Sequence, residues 1–149
     1  MTISINDLIP VLQTAIGPVI LISGVGLLLL SMTNRLGRVI DRSRALARDR
    51  RNAAPQDRER LSAQLLILSR RSELIRRAIL FASISVLLAA LLVMVLFFTA
   101  LIALENAWLI SLLFMGCMAS LILSLIAFIQ DINLALHALK REVGEIIDE

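Results

Sequence analysis

Three apolar runs, residues 17–33, 78–104 and 107–129, contain no Asp, Glu, Lys, Arg or His, and nothing else in the chain restricts its fold as much. A charge-free segment can satisfy its own backbone hydrogen bonds as a helix, and a hydrocarbon core takes roughly 20 helical residues to cross. The second and third runs are long enough to cross, and the first is the shortest of the three. Composition agrees with a membrane protein: 58% of residues are hydrophobic, mean hydropathy is +0.87 and there is no tyrosine. The expected fold class is an all-α membrane protein with three transmembrane helices extended into a cytoplasmic helical bundle.

Charge sets the expected orientation. All fifteen Lys and Arg residues lie between Arg35 and Arg77 or at Lys140 and Arg141. Positive residues near span ends stay on the cytoplasmic side. The basic loop and the C-terminal tail are therefore expected inside, and the N-terminus and the Glu105-Asn106 turn outside. A cleaved signal peptide would carry positive charge before its apolar stretch, whereas only Asp7 is charged before Gly17 and the arginines follow the run. The single cysteine, Cys117, lies inside the third run, so no intramolecular disulfide is expected.

The chain is read as one membrane domain with six segments. Residues 4–16 form an outer interfacial helix, with Ile5, Ile9, Leu12 and Ile16 on one face and Asn6, Asp7, Gln13 and Thr14 on the other. Ser4 and Asp7 make a capping-box variant at its start, and Pro18 turns the chain into the first span at 17–34. One continuous kinked helix is the alternative. Residues 35–77 form a basic helical hairpin, in which Leu36, Val39, Ile40, Ser43, Leu46 and Ala47 share a face. Ala53-Ala54-Pro55-Gln56 makes its turn. Beyond the turn Leu61, Leu65, Leu68, Ser72, Ile75, Ile79 and Ala82 recur at steps of four and three, a coiled-coil-like heptad that runs on into the second span, 78–104. The hairpin should extend about 27 Å from the membrane, from roughly 18 residues at 1.5 Å each.

The third span, 107–129, follows the tight Glu105-Asn106 turn as an antiparallel neighbour of the second, with Trp108 as an interfacial anchor. The tail, 130–149, repeats the amphipathic device with Ile132, Leu136, Leu139, Val143 and Ile146. The hairpin carries thirteen Arg against five acidic residues, net +8, and the tail two basic against five acidic, net −3. Opposite charge and a matching apolar stripe predict that the tail packs on the hairpin, giving a three-helix cytoplasmic bundle.

The chemistry is sparse. Ionisable groups deep in apolar runs mark proton relays and intramembrane catalysis, and these runs have none. His137 has only Asn133 and Arg141 one turn away, which is no metal-ligand set. The serines at 23, 31, 83, 85, 111, 120 and 124 have no base beside them, and Gly24-Val25-Gly26 follows no strand, so neither a nucleophile nor a phosphate-cradling loop is read. No enzyme, cofactor, metal or small-molecule substrate is expected. Nucleic acid is disfavoured as well, because the arginine loop has no aromatic residue before Phe81 on which bases could stack. Membrane lipid is the better partner for juxtamembrane arginine, and Arg35, Arg38, Arg42, Arg70, Arg71, Arg76 and Arg77 are the candidate contacts with anionic headgroups.

Two stripes of small residues point to close helix approach. Gly17, Gly24 and Ser31 recur every seven residues, with Gln13 near the same face, and Gly116, Ser120 and Ser124 recur every four. Small residues let helices touch in lipid, where burial of apolar surface cannot drive association. One stripe is expected within the subunit and the other between subunits of a homo-oligomer, as a seam or pore lining.

The stretches Asn34-Arg35-Leu36-Gly37-Arg38-Val39-Ile40-Asp41-Arg42-Ser43-Arg44-Ala45-Leu46 and Leu68-Ser69-Arg70-Arg71-Ser72-Glu73-Leu74-Ile75-Arg76-Arg77-Ala78-Ile79, set between three apolar runs, resemble the small bacterial membrane proteins of domain-of-unknown-function family twenty-seven twenty-one. The resemblance implies a bacterial inner-membrane protein and brings no catalytic residue with it. Two readings of function follow from the residues themselves. One is a homo-oligomeric ion channel, and the other a non-conducting scaffold whose basic bundle binds anionic lipid or a protein partner.

Overall fold

The computed structural model describes residues 5–102 and 107–147, with side chains over 9–102 and 107–137. Three helices account for nearly all of them: α1 (Ile5–Asn52), α2 (Pro55–Ile102) and α3 (Ala107–Ile147). Each is long and apolar enough to cross a membrane. Of the most apolar 18-residue stretch of each helix, no more than 22% is buried within the protein. That leaves apolar surface which water would penalise and lipid would not.

The chain does not turn at Gly17-Pro18. α1 is continuous through both Pro10 and Pro18, so the alternative of a single helix is the one realised. Breaking a helix in an apolar stretch strands several backbone donors and acceptors at once, whereas an internal proline removes only one donor. The Thr14 hydroxyl donates to the Pro10 carbonyl at 2.9 Å, adding a local bond beside the first proline. Ser4 and the turn at Glu105-Asn106 lie outside the described residues, as does the side chain of Asp7.

The turn between α1 and α2 falls where proline and alanine place it. Pro55 opens α2, a position where its missing N–H would have no helical partner anyway. The Asp57 N–H donates to the Ala54 carbonyl at 3.1 Å and Arg58 Nε to the Ala53 carbonyl at 3.1 Å, closing both carbonyls of the turn.

The chain divides into two compact units, one of residues 1–30 with 80–123 and one of 31–79 with 124–149. In the first, the buried residues are Ala15 and Val25 of α1, Ala82, Ser85, Ala89 and Leu92 of α2, and Cys117 and Ser120 of α3. Around them Ile20, Leu27, Leu87, Phe98, Trp108 and Met115 are exposed. In the second, Met32, Val39 and Leu46 of α1 are buried seven residues apart, together with Ile75 and Ala78 of α2 and Ser124, Ala127 and Asp131 of α3. Within this unit Leu61, Leu65, Leu68, Ser72 and Ile79 are half-buried, so the face read from their spacing is turned inward.

Two details depart from the sequence pattern. On α1, Ile40 and Ala47 are exposed although they share the expected apolar stripe, because the seam advances by sevens and takes only Leu36, Val39, Ser43 and Leu46. On α3, Ile132 is half-buried but Leu136 is exposed, and the side chains of Leu139, Val143 and Ile146 lie outside the described residues.

Candidate functional site

Cys117, Ser120 and Ser124 of α3 bond to the backbone of α2. In the first unit Ser120 Oγ donates to the Phe81 carbonyl at 2.7 Å, Ser85 Oγ to the Cys117 carbonyl at 3.0 Å, and Cys117 Sγ returns a bond to the Ser85 carbonyl at 3.2 Å. In the second Ser124 Oγ donates to the Ala78 carbonyl at 2.7 Å. Hydroxyls this close to a neighbouring backbone require small residues at the crossing, which Ala78, Ala82, Ser85 and Ala89 supply. A Cβ added at Gly116 would stand 3.5 Å from Leu88 Cδ1, an ordinary van der Waals contact. Ser120 and Ser124 thus face α2 within the subunit, with Gly116 half-buried on the same side of α3.

The first-helix stripe is different. Gln13, Gly17, Gly24 and Ser31 are exposed, and a Cβ built at Gly17 or Gly24 would meet nothing within 4 Å. The apolar neighbours Ile20, Leu27 and Leu30 are exposed beside them. Backbone is therefore bare on an apolar face of α1.

The most polar feature of the second unit was not singled out from the sequence. Asp131, just past the third apolar run, is completely buried and lies between two arginines. Arg35 Nε of α1 is 2.9 Å from its Oδ2, and Arg71 Nε of α2 donates to Oδ1 at 3.2 Å. The Arg35 contact is an ion pair by distance but not aligned as a hydrogen bond, so Oδ2 accepts no well-directed donor among the described residues. Arg35 also stacks over the Phe128 ring, its Cζ 5.5 Å from the centroid. A buried carboxylate between two guanidiniums joins α1, α2 and α3 at one point. Asp131 follows Ser124 by seven residues on the same inward face of α3, which is the signal that marks it.

The candidate lipid arginines separate into groups. Arg35, Arg38, Arg42 and Arg71 line a cavity of about 310 Å³ with Val39 and Leu68. Arg70 and Arg77 line a second, about 290 Å³, with Glu73, Leu74 and Leu134. There Arg77 pairs with Glu73 one helical turn away, and both are well exposed, so the pair contributes little to stability. Arg76 is exposed and lines neither cavity. His137 is exposed as well.

Three long apolar helices with this inward polar stitching define an all-helical integral membrane protein. Residues 15–141 match the model of the family described as Protein of unknown function (DUF2721), and the chain belongs to that family. No curated protein and no solved structure matches it significantly.

Proposed function

We propose that this protein is a homo-oligomer of the bacterial inner membrane whose subunits meet along α1 and together enclose an ion-conducting path. One observation carries the reading: Gln13, Gly17, Gly24 and Ser31 leave a strip of small and polar surface exposed on the largely apolar part of α1 that precedes Arg35. Three helices leave no room for water between them, so a path needs further subunits, and rotational symmetry supplies them. The basic hairpin and tail stand on the cytoplasmic side as a helical bundle, supported by the confinement of thirteen arginines to 35–77. Trp108, 70% exposed, anchors the outer end of α3 at headgroup level. A non-enzymatic role is part of this reading, supported by the bonds that the buried hydroxyls and the thiol make to backbone carbonyls.

A second reading, a non-conducting scaffold, is favoured by the two arginine-lined cavities. Ion flux into liposomes holding the purified protein separates the two readings. Assembly is tested by mass in native-like lipid: Gly24→Leu should break or rearrange the oligomer, and Leu28→Ile should leave it unchanged. A monomeric wild-type protein would eliminate the channel, and an oligomer unaltered in Gly24→Leu would eliminate α1 as the contact.

A further inference from the structure

The second unit holds a cavity with an unusual charge balance. Its lining consists of Arg35, Arg38, Val39, Arg42, Leu68 and Arg71, with no carboxylate, and Asp131 behind Arg35 and Arg71 is the acidic group paired to the lining. Four guanidiniums against one carboxylate leave a local net charge of +3. Among the described residues Arg38 and Arg42 have no acidic partner.

The arrangement is also prepared for a ligand. Asp131 contacts Nε of both Arg35 and Arg71. A guanidinium carries five N–H donors, so one carboxylate leaves most of those on two arginines available. Those two side chains are held in place by Asp131 and Phe128, with side-chain exposures of only 26% and 19%. Arg35, Arg38 and Arg42 follow one another at three and four residues along α1, one above the next on a single face, while Arg71 closes the cavity from α2. Each planar fork can bond two oxygens, so several forks around one concave space suit a phosphate, which offers more acceptor oxygens than a carboxylate's two.

We infer that this cavity binds an anionic phosphate group, gripped by Arg38 and Arg42 and seated on the Arg35–Asp131–Arg71 triad. Arg35 is the second residue past the end of the first apolar run, which sets the cavity at headgroup depth and makes the phosphate of an anionic phospholipid the nearest source. A soluble phosphate compound has the same chemistry. The inference rests on membrane insertion and not on conduction or oligomerisation, so it stands or falls separately from them.

The test uses the full chain with Arg38→Gln/Arg42→Gln, two exposed residues outside the buried triad, against Arg44→Gln/Arg48→Gln, which removes the same charge from α1 away from the cavity. Circular dichroism confirms that both variants keep their helices. In nanodiscs mixing phosphatidylglycerol with phosphatidylcholine, native mass spectrometry should find phosphatidylglycerol enriched on the wild type and the 44/48 variant. On the 38/42 variant it should be retained at least about tenfold more weakly, the scale of losing charged hydrogen bonds. In nanodiscs of phosphatidylcholine alone, pyrophosphate is titrated against thermal unfolding. Stabilisation of the wild type but not the 38/42 variant, without phosphatidylglycerol enrichment, identifies a soluble phosphate as the occupant. Equal losses in the two variants, or no response to either probe, overturn the site.

Discussion

Asp131 determines how the second unit tolerates change at the level of single residues. Its carboxylate is fully buried and engaged by two arginines, so removing the charge leaves Arg35 and Arg71 facing each other without compensation. Asp131→Asn should lower unfolding stability in mild detergent by about 3 kcal/mol or more, the cost typical of breaking a buried pair from one side. Adding Arg71→Gln to Asp131→Asn should cost clearly less than Arg71→Gln costs alone, because the partner is already lost. Additive losses in that cycle would mean the three charges do not act together. The sequence shows the opposite signs of hairpin and tail, and it places Asp131 at the mouth of the third run. It does not show which arginines of thirteen close on it, since that depends on how α1, α2 and α3 are rotated about their axes. The basic charge of the 35–77 segment is legible in the sequence while the grouping of its arginines is not: net charge is a property of composition, and a shared cavity is a property of packing.

Single helices were read most accurately where their period is local. The heptad from Leu61 to Ala82 is inward-facing because steps of three and four hold residues on one side of any helix, whatever it meets. At Pro18 the continuous helix forms in place of the turn, since the proline's local preference against helix is outweighed by the backbone groups that a break in apolar surroundings would strand. The two small-residue stripes look alike in sequence because contact within a subunit and contact between subunits require the same absence of side chain. The structure separates the two stripes by exposure, and substitution should as well. Gly116→Leu, meeting Leu88 across the α2–α3 contact, should destabilise the subunit by about 1–3 kcal/mol in detergent unfolding. Gly24→Leu, with nothing within 4 Å, should leave subunit unfolding unchanged and act only on assembly. Equal destabilisation by the two would show that α1 packs within the subunit along that face.

For the molecule as a whole, orientation is the first quantity to measure. Single-cysteine reporters at Gln56 and Asn106, introduced into Cys117→Ser, should label from opposite faces of the membrane, Gln56 from the cytoplasmic one. Labelling of both from one side would remove the three-span topology and the inner-face placement of the arginines with it. Cys117→Ser is a gentle background, because a hydroxyl can still donate to the Ser85 carbonyl that the thiol now reaches at 3.2 Å. That bond belongs to a wider habit: Ser85, Cys117, Ser120 and Ser124 each reach a main-chain carbonyl, and for Ser120 and Ser124 it is the acceptor across the contact, while the Ser85 and Cys117 side chains also meet at 3.4 Å. A main-chain acceptor is present whatever residue occupies its position. Ala78 and Phe81 can therefore drift among homologues, within the limits of size, without any matching change at Ser124 or Ser120. The Ser120 and Ser124 bonds should leave little trace of paired substitution in an alignment, while the Arg35–Asp131–Arg71 cluster, built from side chains at every corner, should vary only in concert.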